Sequence, residues 1–298
     1  MKQLLANLLS RVRAPIPDGF KTYPGDLLTL HELRLASRHE KYALCRDRCR
    51  YAYLGNGTSL CRVLGRYKMY VDTNDHGVSS HLLMDGCWEM WMVEMFLDLV
   101  KPGMIVADAG ANLGFFALLM ADLVGEHGHV HAFEPNPQMA DRLRASVAVN
   151  GFGRRTTVHE VGLSDRWGEA AMAVAPNEPG GGHLIDDVRR AGAIPIQIRR
   201  LDSLNGLENI DFIKIDVEGS EERLWAGMSG IIAQNRPLTI ILEFIADRYR
   251  DPSLFLNDML KRDFTMQHLT FDDGVVPITP AELLKLPATE DQMILLTR

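Results

Sequence analysis

Two acidic residues in the second half of the chain could carry out proton-transfer chemistry. Asp216 follows a strand-like run at 211–215, and Glu243 follows another at 238–242. If these runs are neighbouring parallel strands, both side chains face one pocket at the carboxyl edge of the sheet. One of them could be a general base for a hydroxyl group. Alternatively, both could bind Mg²⁺ or another hard cation, or form a structural network with a nearby lysine.

That lysine is Lys214, which lies inside the first of these runs. A central parallel strand is buried on both faces, and a buried ammonium is costly unless it is paired. Lys214 and Asp216 are two residues apart and therefore point to the same face of the strand. We expect a polar cluster at this edge.

A third candidate for proton transfer is His183, which follows three consecutive glycines at 180–182. A mobile glycine-rich loop over a cleft is consistent with gating, and His183 could be a base or a substrate contact. The same sequence also fits a solvated loop histidine.

A ligand-binding turn is indicated at 104–116. An apolar run ends at Asp108, passes through Gly110 and Gly114, and continues as an apolar helix. Glycines let a ligand approach the backbone, and the free amides at a helix start favour anionic groups. The spacing D-x-G-x-x-x-G lacks the third glycine of the dinucleotide fingerprint G-x-G-x-x-G.

The next strand-like run, 130–133, ends in Glu134-Pro135-Asn136-Pro137. An acid at the end of the second strand is placed to accept hydrogen bonds from ribose hydroxyls. We therefore assign Glu134 to a ribose, with Asn136 as a weaker candidate beside it.

The alternation of strand-like and helix-like segments from residue 67 onward predicts an α/β domain, 67–298, with helices on both faces of its sheet. Runs at 265–271 and 292–297 predict two closing strands, one of them antiparallel. The segment at about 169–200 interrupts the alternation and is interpreted as an inserted β-hairpin. Residues 1–66 are expected to form a mainly helical N-terminal extension, which could also build a subunit interface.

Composition excludes some classes of protein. The net charge of −7 gives no general signature of nucleic-acid binding. The apolar runs are too short for a membrane span, and the first residues lack the features of a signal peptide, so a cytoplasmic location is expected. The four cysteines lack a recognisable zinc spacing and are expected to be free thiols.

The longer pattern D-x-G-V-S … G-x-W-E … K-P-G-M-x-V-x-D-A-G-A-N-L-G-F-F, followed by E-P-N-P and I-K-I-D-V-E-G-S-E, resembles the FkbM family of methyltransferases over about residues 67–243. The resemblance implies a Rossmann-like class I methyltransferase sheet, S-adenosylmethionine as cofactor, and O-methylation of a sugar, polysaccharide or polyketide-type product. The cofactor contacts that follow from the motifs are Asp108, Gly110, Ala111, Asn112, Gly114, Phe115, Glu134, Asn136, Leu163, Ser164 and Asp216.

The sequence thus predicts direct methyl transfer to a hydroxyl of a small-molecule or glycan acceptor. Asp216 is the first candidate for the base, followed by Glu243 and His183. If a metal takes part, Asp216 and Glu243 are its candidate ligands. Two other classes stay open, an NAD(P)-dependent oxidoreductase and a non-catalytic binding or assembly protein on a methyltransferase scaffold. Neither a nucleic-acid partner nor a membrane span is expected, and a homo-oligomer could form through the extension.

Overall fold

A computed structural model describes residues 26–175, 178–187, 189, 191–234 and 236–298. The helices in these ranges are α1 (Leu30–Leu35), α2 (Arg38–Arg48), α3 (Val78–Met84), α4 (Met90–Leu99), α5 (Phe115–Val124), α6 (Pro137–Val149), α7 (Glu221–Gly227), α8 (Ser229–Ala233), α9 (Pro252–Lys261) and α10 (Pro280–Leu283). The strands are β1 (Tyr51–Gly55), β2 (Thr58–Val63), β3 (Tyr67–Asp72), β4 (Ile105–Ala109), β5 (His129–Phe133), β6 (Thr156–His159), β7 (Gly162–Leu163), β8 (Gly168–Ala175), β9 (Glu178–Ile185), β10 (Ile194–Arg199), β11 (Phe212–Ile215), β12 (Thr239–Phe244), β13 (Thr265–Thr270), β14 (Gly274–Pro277) and β15 (Gln292–Thr297).

The central sheet has eight strands in the order β14-β13-β15-β12-β11-β4-β5-β6. The five neighbouring strands β6, β5, β4, β11 and β12 pair in parallel, whereas β15 runs antiparallel between β12 and β13. After β6 the chain crosses back past β4 and continues in β11, so the strand order reverses at β4. Such a reversal is the switch point at which open α/β sheets bind ligands. This arrangement confirms the predicted class I sheet, including its antiparallel closing strand.

Helices cover both faces of this sheet because successive strand residues point in opposite directions. Val106 and Phe212 belong to one apolar cluster with residues of α4 and α5. Their neighbours Ala107 and Ile213 belong to a second cluster with residues of α7, α8 and α9. The strands are therefore buried on both sides, and their polar residues stand out as exceptions.

The N-terminal segment contains more than helices. Capping boxes at Thr29 and Ser37 start α1 and α2. Strands β1 and β2 follow, which the sequence analysis did not predict, and β2 pairs antiparallel with the predicted β3 across the proposed boundary at 66/67. The division into extension and domain stays a prediction, and residues 1–25 lie outside the described part of the chain.

The insertion forms a second sheet with the order β7-β10-β8-β9. Strands β8 and β10 match the two strands expected there, but the glycine-rich segment expected as a loop is the strand β9. Added Cβ atoms would come within 2.2 Å of the Asn112 side chain at Gly180 and of the Met172 side chain at Gly182. Glycines thus allow β9 to lie directly on the β4–α5 turn and on β8. Residues 176 and 177 of the predicted loop lie outside the described part of the chain.

All four cysteines are free thiols, as predicted. Within the described ranges, every helix is too short or too polar to cross a lipid bilayer.

Candidate functional site

A cavity of about 320 Å³ lies at the carboxyl edge of the parallel strands. The β4–α5 turn, the end of β5, the residues after β11 and the end of β12 line it, and β9 and the segment around α3 and α4 close it on other sides. It brings together eight of the predicted site residues, namely Gly110, Ala111, Asn112, Phe115, Glu134, Leu163, Asp216 and Glu243. It does not bring Asp108, Gly114, Asn136, Ser164 or His183 to its wall.

The two glycines of the β4–α5 turn have different roles. Gly110 has a φ of +80°, and an added Cβ would lie 1.7 Å from the carbonyl oxygen of Asp216. Gly114 has a φ of +93°, and an added Cβ would lie 2.1 Å from Cδ1 of Leu143. The first glycine lets the turn pass against the end of β11, and the second lets α5 pack on α6.

Glu134 is held by the backbone at the end of β5. Its Oε2 accepts a hydrogen bond from Asn112 N and its Oε1 accepts one from Asn136 N, both at 2.8 Å. Burial raises the pKa of Glu134 to about 7, although the two amide hydrogen bonds act to lower it. A carboxylate has about four acceptor sites, so two remain for the hydroxyls of a ribose.

Asn136 supports this carboxylate from outside the cavity. Its side chain accepts a hydrogen bond from Gln138 N at 3.0 Å and caps α6. This cap fixes the backbone amide that donates to Glu134, so Asn136 positions the acid and does not touch the cavity.

The wall next to Glu134 is apolar. Phe133, Val161, Leu163, Met172 and Leu184 line it, and a flat aromatic base could pack there. The predicted neighbour Ser164 is buried behind this wall, where its hydroxyl donates to Asp165 Oδ1 at 3.0 Å. Of the predicted pair, Leu163 therefore faces the cavity and Ser164 does not.

The predicted polar cluster is present around Lys214, which is 3% exposed. Its Nζ lies 3.1 Å from Asp216 Oδ2, 3.6 Å from Asp108 Oδ1 and 3.3 Å from the carbonyl oxygen of Gly110. Burial disfavours the ammonium, but the carboxylates of Asp216 and Asp108 outweigh it and raise the pKa of Lys214. Lys214 is therefore a charged group that ties β4, β11 and the turn together.

Asp108 lies below the cavity and is fully buried. Within the described ranges, neither of its carboxylate oxygens has a hydrogen-bond partner. Burial raises its pKa to about 6, and the nearby ammonium of Lys214 limits this rise. Its position indicates a structural charge pair with Lys214 beneath the cavity.

The predicted neighbours Asp216 and Glu243 do face the same cavity, but each is paired with a cation. Arg248 donates to Glu243 Oε2 at 3.0 Å and to Glu218 Oε2 at 2.9 Å. Burial and the negative charges of Asp216 and Glu218 raise the pKa of Glu243 to about 8, and Arg248 opposes them.

These pairings do not suit a divalent cation, because Lys214 and Arg248 already bind the two candidate ligands. Across the described residues, no group of three or more His, Cys, Asp or Glu side chains could hold a metal ion. The described residues therefore give no support to a Mg²⁺ site.

His183 is exposed on β9, while its neighbours Gly182 and Leu184 line the cavity. Alternation along the strand therefore turns the histidine away from the site.

Sequence reasoning missed Trp88, Glu89 and Asp291, which also line the cavity. The string G-x-W-E was available as a signal for two of them. It could not be placed, because nothing in its spacing links the segment before α4 to the strand ends.

The model of the methyltransferase FkbM domain matches residues 108–271. The methyltransferase sdnD of Sordaria araneosa is 28% identical over 41% of this chain and 60% of that protein. The 2-O-methyltransferase NoeI of Sinorhizobium fredii is 31% identical over 53% of this chain and 68% of that protein. The 31-O-demethyl-FK506 methyltransferase FkbM of Streptomyces tacrolimicus is 30% identical over 49% of this chain and 66% of that protein.

The chain thus spans 60–68% of the length of these three relatives. The domain match covers more than half of the chain and contains the β4–α5 turn, Glu134, Lys214 and both predicted carboxylates. Together with the strand order, it confirms the resemblance drawn from the motifs, and the chain belongs to the FkbM methyltransferase family.

Proposed function

We propose that this protein is an S-adenosylmethionine-dependent methyltransferase that methylates a hydroxyl group of a sugar, polysaccharide or polyketide-type acceptor. The observation that carries the proposal is Glu134, a buried carboxylate held by two backbone amides with acceptor sites left for a ligand. It lies in one cavity with the Gly110 turn and an apolar wall.

The residues present fit this cofactor. Glu134 is placed to accept hydrogen bonds from the two ribose hydroxyls, as the acid at the end of the second strand does in related folds. Leu163 and Phe133 offer an apolar surface for the adenine. The backbone of the turn at Gly110 and Asn112 lines the cavity where the rest of the cofactor would lie. The bound cofactor supplies an electrophilic methyl group on a positively charged sulfur.

The acceptor belongs at the carboxylate-rich end of the cavity. Asp216, paired with Lys214, is placed to accept a hydrogen bond from the acceptor hydroxyl, and Glu243 lines the same cavity. Because the methyl donor is intrinsically reactive, most of the rate enhancement would come from holding the hydroxyl in line with the methyl group.

The acceptor class rests on the relatives' names, which describe a 2-O-methyltransferase and an enzyme acting on 31-O-demethyl-FK506. Both names point to oxygen as the methylated atom, and this is the reason for proposing O-methylation here. The homo-oligomer and the cytoplasmic location stay predictions.

Calorimetric titration with S-adenosylmethionine, and separately with NADH, tests the cofactor. We expect binding of S-adenosylmethionine with a micromolar Kd, and loss of that binding in Glu134→Ala. The exposed Glu126→Gln variant is the control, since its side chain lies outside the cavity wall. Methyl glycosides and cyclic diols would then be screened for formation of S-adenosylhomocysteine. Binding of NADH but not of S-adenosylmethionine by folded protein would refute the proposal.

A further inference from the structure

Methyl transfer to an alcohol needs a group that accepts the hydroxyl proton. The inference rests on the proposed function and concerns which side chain at the cavity accepts this proton. Asp216 is paired with Lys214 and Glu243 with Arg248. Each of these two carboxylates already accepts a hydrogen bond from a cation, which occupies an acceptor site that a substrate proton would otherwise use.

Glu89 differs from both of these residues. It lines the same cavity. Within the described ranges, its carboxylate makes no hydrogen bond or ion pair to another residue. It directly precedes α4 and has a φ of +38°, a left-handed conformation that is costly for a residue with a Cβ. Backbone strain of this kind persists where the surrounding structure fixes a side chain in one direction.

The surroundings of Glu89 are charged. Lys214 acts on it from β11, Asp216 from the residue after β11, and Asp291 from the segment before β15. Glu218 and Glu243 line the same cavity, and Arg248 pairs with both of them. Burial, followed by the negative charge of Asp216, raises the pKa of Glu89 to about 7, although Lys214 opposes the rise.

We propose that Glu89 is a catalytic residue, the general base of the methyl transfer. As the acceptor oxygen bonds to the methyl carbon, the bond from that carbon to sulfur breaks and its electron pair stays on sulfur. The hydroxyl proton passes to an Oε atom of Glu89, and the products are the methyl ether and the neutral thioether. Asp216, held by Lys214, orients the hydroxyl and does not take the proton.

A base is most effective when its pKa lies near the working pH, which is the case for an unpaired, half-buried carboxyl of this kind. The role also accounts for the strained backbone of Glu89, which the proposed cofactor contacts do not explain.

Proton release on cofactor binding tests this role without an acceptor. Calorimetric titration of the full chain with S-adenosylmethionine at pH 7, in two buffers with different ionisation enthalpies, measures the protons released. The cationic sulfur should ionise Glu89, which is about half protonated at pH 7, so Glu89→Gln should release roughly 0.5 fewer protons per site than the wild type. Glu126→Gln, with an exposed carboxyl outside the cavity, should match the wild type.

Kinetics with a hydroxyl compound methylated in the screen provide a second readout. We expect Glu89→Gln to lower kcat by about 100-fold or more, with little change in KM, and to remove the rise of kcat near pH 7. Glu89→Asp should keep that pH-dependent rise.

Unchanged proton release in Glu89→Gln, or Glu89-dependent proton uptake, would overturn the assignment of the base whatever the kinetics show. An unchanged pH profile of kcat in that variant would do the same. Absence of binding to the wild type would instead overturn the proposed function itself.

Discussion

Replacing Lys214 with methionine probes the charge cluster under the cavity. Methionine keeps an unbranched side chain in the core but removes the ammonium, which lies 3.1 Å from Asp216 and 3.6 Å from Asp108. The Asp216 side chain is 30% exposed, whereas Asp108 is fully buried and would lose its nearest cation. Removing one partner of a buried pair costs about 3–5 kcal/mol. We expect the free energy of unfolding to fall by about this amount at pH 8.

The loss should depend on pH, and its sign follows from Asp108. The pKa of this acid is about 6 in the folded protein, above its unfolded value of about 3.9. Folding therefore favours the protonated acid. Its contribution to the free energy of unfolding is present at low pH and is lost as the pH rises through 6. Without Lys214 the folded pKa of Asp108 rises further, so Lys214→Met should lose less stability at pH 5 than at pH 8. Lys214 itself stays charged over this range, because its folded pKa is raised.

Urea denaturation followed by circular dichroism at pH 5 and pH 8 measures both effects. The double variant Lys214→Met, Asp108→Asn removes the stranded charge and should recover most of the stability lost at pH 8. If the free energy of unfolding of Lys214→Met lay within about 1 kcal/mol of the wild type at pH 8, the reasoning would be refuted. Lys214 and Asp108 would then behave as a solvent-exposed pair. An equal loss at both pH values that Asp108→Asn fails to recover would also refute it.

Three other changes test the cavity and the sheet. Glu134→Gln should weaken S-adenosylmethionine binding about 10- to 100-fold in calorimetry, because it removes a charged acceptor, and an unchanged Kd would contradict its ribose role. Gly110→Ala should abolish binding, since its Cβ would lie 1.7 Å from the Asp216 carbonyl oxygen, whereas Gly103→Ala, with a φ of +85° but open surroundings, should bind normally. Burial and two neighbouring histidines lower the pKa of His131 to about 4, below its unfolded value of about 6.5. Its contribution to stability is therefore present above pH 6.5 and lost towards pH 4, and His131→Asn should flatten this loss in urea denaturation.

The sequence predicted those parts of the site that follow from local rules. Asp216 and Glu243 converge because the carboxyl ends of neighbouring parallel strands meet at one edge, and the structure places both at one cavity. Lys214 was recognisable because a lysine in a buried strand requires a partner, and it has one in Asp216. The inference about Lys214 needed only strand geometry and the cost of burying charge, whereas the convergence of Asp216 and Glu243 also needed the strand order that the family resemblance implies.

The features that the sequence did not predict depend on contacts between distant segments. Arg248 follows β12 and bridges Glu218 and Glu243, which no local pattern indicates. Strand β9 was expected as a loop because consecutive glycines disfavour strands in isolation. The close approach to Asn112 reverses that preference, since only glycine fits at Gly180.

Ion pairing separates the acids of this site into two groups. Lys214 and Arg248 each neutralise carboxylates at the acceptor end, and Glu89 lies beyond the reach of both as a pairing partner. Glu89, Asp216 and Glu243 all carry a carboxyl group, so residue type alone does not distinguish a base from a group that only binds the acceptor. Their pairing does, because Lys214 and Arg248 occupy acceptor sites of Asp216 and Glu243, whereas those of Glu89 are free. For this reason the signature stretch around Asp216 is best read as the part of the site that orients the acceptor, and the segment before α4 as the part that receives its proton.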